Sequence, residues 1–147
     1  MFKPLSLAFF AAALTVPTLA PAQDFARRQN FNLPVIAVGP NSFEVIEADG
    51  AGGTQIWCAA GIYARHVLGQ RNGDLTVVEG RGPSKSRPGR KGVVFTTDKN
   101  AEGSPSLTRS IRKAGSSFSI AHTFALCSQY PRLRIETETG RRVRRTG

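Results

Sequence analysis

The hydrophobic pattern of the chain predicts several short β-strands. In residues 42–48, apolar side chains at Phe43 and Val45 alternate with glutamates, which is the period-two pattern of a strand with one solvent-exposed face. Clear apolar or alternating runs predict further strands at 75–78, 93–97 and 133–137, the last of them an edge strand, and weaker runs lie at 107–111 and 118–120. Residues 121–127 fit either a strand or a short helix.

A helical period appears in the segment GTQIWCAAGIYARHVLGQ, residues 53–70. Thr54 is expected to cap a helix and Gly69 to end it in a left-handed conformation, so the helix is predicted over residues 55–68. Its apolar face, which is expected to pack on the sheet, contains Ile56, Ala60, Tyr63 and Val67. Cys58 lies on the opposite side of this helix. If Cys58 forms a disulfide, that side must be covered by the segment that contains Cys127.

The N-terminal segment has the features of a secretory signal peptide. Lys3 is followed by an apolar run over residues 5–14, and the sequence APA at 20–22 supplies small residues for cleavage. We predict a Sec-type signal peptide over residues 1–22, cut after Ala22, and a periplasmic or secreted product. A membrane-spanning helix needs about 20 residues, and the apolar run is shorter than that. We expect no transmembrane segment in the mature chain.

The two cysteines are predicted to form a disulfide. Removal of residues 1–22 leaves 125 of the 147 residues, which is the usual size of one domain. A pair of cysteines in an oxidising compartment most often forms a disulfide. The bond Cys58–Cys127 would close a loop of about 69 residues and stabilise the fold by about 4 kcal/mol through loop-closure entropy.

Motifs for other chemistry are weak. Cys58, His66, His122 and Cys127 lack the close C-x-x-C pair that is typical of zinc sites. Neither histidine stands at a diagnostic distance from a cysteine nucleophile. The chain has no G-x-S-x-G motif, and its glycine-rich segment 80–92 does not match a phosphate-binding loop. We therefore assign no catalytic, cofactor-binding or metal-binding residue.

Positive charge is the strongest remaining signal. The formal net charge is +10, and it becomes +9 when Lys3 leaves with the signal peptide. No acidic residue lies between Glu79 and Asp98, so residues 80–92 are expected to form an exposed basic loop, and the ending GRRVRRTG is too charged to fold by itself. The candidate anion-binding residues are Arg81, Lys85, Arg87, Arg90 and Lys91 in the loop, and Arg141, Arg142, Arg144 and Arg145 in the tail.

Clustered cations attract polyanions through steering and counterion release. In the envelope, the expected partners are anionic lipid, lipopolysaccharide, polysaccharide or an unidentified envelope protein. Specific nucleic-acid binding is not expected, because basic and aromatic residues do not interleave as in base-stacking surfaces. The competing interpretation is that these charges only keep exposed loops soluble.

Part of the chain resembles a family of small exported bacterial proteins of unknown function. The resemblance is carried by FEVIEADGAGGTQIWCAAGIYARHVLG, by GRGPS at 80–84 and by a second cysteine near the C-terminus, and it covers residues 42–127. Its most specific part is the WCAAGxYA segment that starts at Trp57. The resemblance implies export and a disulfide, and it brings no activity, cofactor or catalytic residue.

The sequence therefore predicts an α+β fold, with a small antiparallel sheet of four to six strands, one principal helix packed on it and a single disulfide. The predicted organisation is a signal peptide (1–22), an extended lead-in that ends in an edge strand or extended strip (23–41), one α+β domain (42–138) and a basic tail (139–147). The leading functional hypothesis is a non-enzymatic envelope or secreted module that binds anionic surfaces or polymers. The alternatives are a small cysteine/histidine hydrolase, and a protein inhibitor or partner-binding domain that uses the 80–92 loop.

Overall fold

The computed structural model describes residues 29–145, so the predicted signal peptide lies outside the described residues. Residues 29–145 form eight strands and two helices. The strands are β1 (Phe31–Ala37), β2 (Ser42–Ile46), β3 (Asp74–Pro83), β4 (Lys91–Thr96), β5 (Ser104–Pro105), β6 (Ser116–Ser119), β7 (Leu133–Thr137) and β8 (Arg142–Arg144). The helices are α1 (Gly53–His66) and α2 (Ile120–Leu126), and a 3₁₀ turn (Cys127–Gln129) follows α2. Within this part of the chain, no helix has the length and apolar character needed to cross a membrane.

All eight strands belong to one sheet, in the order β5-β6-β3-β4-β2-β1-β7-β8. The α+β class, the principal helix and the single disulfide are confirmed, but the sheet is larger than the four to six strands expected. It is also mixed rather than wholly antiparallel, since β1 pairs in parallel with β7 and β5 with β6. The parallel pairing of β1 arises because the chain returns to it through α2, so that Phe31 lies beside Leu133.

Helix α1 is the centre of the core. Every residue from Ile56 to Ala64 is buried, because the sheet covers one side of α1 and α2 covers the other. On the sheet side, the ring of Tyr63 lies 4.4 Å from that of Phe43. A helix that is apolar all round is the kind that becomes enclosed in this way. The expectation that the Cys127 segment covers the back of this helix is therefore confirmed.

The boundaries of α1 differ slightly from those predicted. The helix begins two residues earlier than a Thr54 cap would place it, with Gly52 as the N-cap, and the side-chain oxygen of Gln55 accepts a hydrogen bond from the Gly52 N–H. Gly69 has φ of +71°, so the predicted left-handed residue after the helix is confirmed.

The Cys58–Cys127 disulfide is present. It joins the middle of α1 to the first residue after α2, with the two Cα atoms 5.0 Å apart, which is an ordinary separation for a disulfide. Both cysteines are almost completely buried. The bond therefore links the two helices inside the core, where solvent does not reach it.

Two expectations for the later strands were wrong, and the open choice between a strand and a short helix at 121–127 is decided for the helix. Residues 107–111 do not form a strand: the sheet partner is Ser104–Pro105, and Leu107 is fully exposed. Strand β6 ends at Ser119 because the Ser119 hydroxyl caps α2, accepting a hydrogen bond from the His122 N–H, so residues 121–127 are helical. Strand β7 is not at the edge, because β8 pairs with it.

Segments expected to lie outside the domain also supply strands. β1, which belongs to the predicted lead-in, is an interior strand between β2 and β7. β8, which belongs to the predicted tail, is an edge strand whose Val143 side chain enters the core. The charged ending therefore folds because it has a strand to pair with and one apolar side chain to bury.

Candidate anion-binding site

Strand alternation divides the arginines at the end of the chain between two faces of the sheet. Val143 points into the helix-covered core, so Arg142 and Arg144 point away from it on the opposite face. Arg145 lies on the helix side, with its guanidinium 5.3 Å from the ring centroid of Phe124 in α2. Arg141 is also on the helix side, close enough to His66 to lower its pKa. The predicted tail cluster is thus two pairs, and not a single patch.

Arg142 and Arg144 of β8 lie near two further arginines, Arg132 and Arg134, that the sequence did not single out. Leu133 and Ile135 of β7 are buried, so Arg134 lies on the exposed face, directly opposite Arg144. Arg132 precedes β7 and lines a recess of about 250 Å³ together with Asn30, Phe31, Asn32, Arg134 and Arg142. The alternation in LRIET was the sequence signal that placed Arg134 on a wet face. We call Arg132, Arg134, Arg142 and Arg144 the arginine face.

Positive charge exceeds negative charge on the arginine face. Glu136 is its only acidic strand residue among those described; it lies beside Arg142 at 3.5 Å and accepts a hydrogen bond from the Asn32 side chain at 3.2 Å. Arg134 and Arg144 make no ion pair with any described residue. Like charges directly opposite each other on antiparallel strands destabilise the pairing. An anion between these two side chains would remove that repulsion.

The β3–β4 loop is less available to anions than its sequence suggests. Strand β3 extends to Pro83, so only residues 84–90 form the loop. Lys85 pairs with Glu79 at 2.5 Å. Arg81 donates two hydrogen bonds of 2.6 Å to the Glu47 carboxylate, which raise the pKa of Arg81, and Arg90 donates to the Glu47 carbonyl oxygen. Of the five candidate cations here, Arg87 and Lys91 alone make no such contact with a described acidic residue.

A buried glutamate fastens this loop to the sheet. Glu44 is 1% exposed, and its two carboxylate oxygens accept hydrogen bonds from the backbone N–H groups of Lys85 (3.2 Å) and Ser86 (3.1 Å). Gly92 lies beside this carboxylate, where a Cβ atom would collide with it. The loop therefore covers one half of the sheet face, and the arginine face is on the other half.

A second cationic recess lies at the N-terminus of α1. It measures about 190 Å³ and is lined by the backbone of residues 51–53 and by Arg81, Arg109 and Arg112. Ile111 anchors the wall of this recess: its side chain is buried, and its carbonyl oxygen accepts a hydrogen bond from the Arg81 N–H. The Arg81 guanidinium is held by Glu47, so it is less available to a ligand of this recess.

Cations on the helix side pack on an aromatic ring. The Arg65 guanidinium lies 4.0 Å from the ring centroid of Phe124, a cation–π geometry that Arg145 shares. His66 also contacts Phe124, and burial together with Arg65, Arg71 and Arg141 lowers its pKa. These side chains stabilise the contact of α1 with α2 and the C-terminal segment.

The groups considered for catalysis are placed as follows. Both cysteines are joined in the disulfide, so neither presents a thiol. Among residues 29–145, no group of three or more His, Cys, Asp and Glu side chains is placed to hold a metal ion. The His66 Nε2 atom is buried and has no hydrogen-bond partner among the described residues.

Comparison of the chain with protein-family profiles, curated proteins and solved structures gives no match. The resemblance to small exported proteins therefore stays a prediction.

Proposed function

We propose that the protein is an exported, non-enzymatic module that binds anionic surfaces or polymers of the bacterial envelope. The observation that carries the proposal is the arginine face, where four exposed guanidinium groups are accompanied by one strand glutamate that is itself paired. Arg134 and Arg144 make no ion pair with a described residue, so their charges are available to an external anion. Such binding is electrostatic and should weaken as salt is added.

The use of arginine supports this proposal over simple solubilisation. Every lysine among the described residues lies between positions 85 and 113, whereas the C-terminal strands carry arginine alone. Arginine presents a planar fork of donors that matches phosphate and carboxylate groups, and lysine is a more strongly hydrated point charge. A role in solubility alone would not explain why the cations of the C-terminal strands are all arginines.

The disulfide bears on the hydrolase alternative. A cysteine nucleophile must be an accessible thiolate. Cys58 and Cys127 are buried and bonded to each other, so a cysteine/histidine mechanism would need the bond reduced and the core opened. The supported role of these residues is to join α1 to the end of α2.

Recognition of a protein partner by the β3–β4 loop is the second candidate. The observation that favours it is the buried Glu44 anchor, which fixes the loop backbone before any partner arrives and so lowers the ordering cost of binding. Co-purification of a defined envelope protein that is lost when Arg87 is changed to Ala would favour this candidate.

The test of the proposal is binding of the exported, oxidised protein to immobilised anionic and neutral matrices. The panel contains anionic phospholipid vesicles, a uronate polysaccharide and a neutral polysaccharide, and an unrelated small basic protein of similar net charge serves as the control. We expect salt-sensitive retention on at least one anionic matrix that exceeds that of the control protein. Retention no greater than that of the control would contradict the proposal.

A further inference from the structure

The arginine face is a two-dimensional array and not a deep cleft. Arg134 and Arg144 face each other across adjacent strands, and Arg142 lies two residues from Arg144 along β8. Strand geometry places such neighbours about 5 Å apart across the strands and about 7 Å apart along them. The adjacent recess of about 250 Å³ is open and has room for one small anionic group. This arrangement fits a flat surface that displays repeated anionic groups.

The chemistry of these side chains favours phosphate. One guanidinium fork can satisfy both oxygens of a carboxylate. The non-bridging oxygens of a phosphate can accept from two guanidinium groups at once. A phosphate placed between Arg134 and Arg144 can therefore bridge them and relieve the repulsion between them.

The face lacks an apolar anchor. The exposed large apolar side chains among the described residues are Val38, Val78 and Leu107, and none of them belongs to β7 or β8. Binding through charge alone keeps a protein at the headgroup level, without insertion into the acyl region, and makes attachment reversible by salt.

We infer that the arginine face binds the phosphate groups of an anionic phospholipid surface and that it, and not the β3–β4 loop, is the docking surface. The inference rests on the proposed function and specifies its ligand. Arg134 and Arg144 hold the phosphate between the strands, and Arg132 and Arg142 contact neighbouring headgroups.

The test measures sedimentation of the full, exported protein with phosphatidylglycerol vesicles, and with phosphatidylcholine vesicles as the neutral control. The variant R134Q/R144Q removes two charges from the face. The matched control R87Q/K91Q also removes two charges, one from the β3–β4 loop and one from the first residue of β4. Neither Arg87 nor Lys91 makes an ion pair with a described residue. We expect about 30-fold weaker binding of phosphatidylglycerol for R134Q/R144Q. The control variant should change it by no more than about threefold, because its charges are partly screened from the contact.

A conservative variant distinguishes the contribution of the planar guanidinium donors from that of the positive charge. R134K/R144K keeps both charges but loses the planar donors, so we expect binding several-fold weaker than wild type yet stronger than R134Q/R144Q. Full affinity in R134K/R144K would overturn the assignment to phosphate bridging. Circular dichroism and the Tm check the fold of each variant, and R134Q/R144Q should be no less stable than wild type because it removes a like-charge pair.

The outcomes distinguish this inference from the proposed function. Equal losses in R134Q/R144Q and R87Q/K91Q would overturn the arginine face as the docking surface. Binding to the uronate polysaccharide or to soluble polyphosphate without binding to phosphatidylglycerol vesicles would overturn the lipid surface, while the proposed function would stand. Failure of the wild-type protein to bind any anionic matrix would overturn both.

Discussion

Arg134 and Arg144 lie directly opposite each other on β7 and β8, on the face of the sheet that points away from both helices. Neither makes an ion pair with a described residue. The fold gains nothing from this pairing of like charges, yet the strand that carries Arg144 also supplies Val143 to the core. Strand β8 thus has two roles: it closes one edge of the core and it presents cations to the solvent.

The disulfide is expected to supply a large part of the stability. The double variant C58A/C127A removes the link with little loss of volume, and we predict a fall in the free energy of unfolding of about 4 kcal/mol for the sequence separation of 69 residues. Urea titration followed by fluorescence measures this, because the single tryptophan, Trp57, is fully buried. Reduction of the wild-type protein should give a similar fall. A double variant within about 1 kcal/mol of wild type would contradict this role.

Glu44 is predicted to be necessary for the β3–β4 loop. The E44Q variant keeps the shape of the side chain but replaces one acceptor oxygen with a donor, so one of the N–H groups of Lys85 and Ser86 loses its acceptor. We expect a loss of about 1–3 kcal/mol. Faster tryptic cleavage after Lys85, in the loop that Glu44 holds, should accompany it.

The matched control for this prediction is E102Q, the same substitution at an exposed glutamate between β4 and β5. It should change stability by less than about 0.5 kcal/mol. Equal stabilities for E44Q and E102Q would show that the buried carboxylate does not hold the loop.

Gly61 is predicted to set the distance between α1 and α2. A Cβ atom there would lie 2.7 Å from both the Phe124 N atom and the Thr123 Oγ1 atom. Replacing glycine with alanine inside a helix ordinarily stabilises it by about 1 kcal/mol. Here the clash should prevail, and we predict that G61A lowers the free energy of unfolding by about 1–3 kcal/mol.

The control for G61A is G82A in β3, where the new Cβ would make an ordinary contact of 3.7 Å with the Gly80 carbonyl oxygen. Its effect on stability should be small. If G61A were as stable as wild type, the helices would have room to separate and the close approach would not be a constraint.

Protonation of His66 is predicted to lower the stability of the fold in mild acid. Burial is the main cause that lowers its pKa from 6.5, with smaller contributions from Arg65, Arg71 and Arg141. A group whose pKa is lower in the folded state binds its proton more readily when unfolded, so its stabilising contribution is present above pH 6.5 and is lost as the pH falls through the folded pKa. Between pH 7.5 and 5, wild type should therefore lose more stability than H66Q. Parallel pH profiles for the two proteins would contradict this prediction.

Local patterns were sufficient for some elements of the fold. The helical period and Gly69 located α1 to within two residues at each end, because both signals belong to the segment itself. The alternation in 133–137 located β7 for the same reason. The disulfide followed from the predicted compartment and the count of cysteines.

Long-range partners explain what the sequence did not predict. The sequence Arg-Val-Arg is too short and polar to signal a strand, and it becomes β8 because β7 offers it an unpaired edge. Glu44 looked like the wet position of a strand, but the loop that covers it begins about 40 residues later in the chain. Arg132 and Arg134 of the arginine face were missed because no local pattern encodes the pairing of β7 with β8.

The most direct measurement of the central claim is a residue-resolved arginine footprint on the membrane surface. The exported protein is treated with phenylglyoxal, which modifies arginine, in the presence and absence of phosphatidylglycerol vesicles, and labelling is read by mass spectrometry. We predict that labelling of Arg134 and Arg144 falls several-fold on the vesicles while labelling of Arg87 is unchanged. Protection of Arg87 with full labelling of Arg134 and Arg144 would contradict the account.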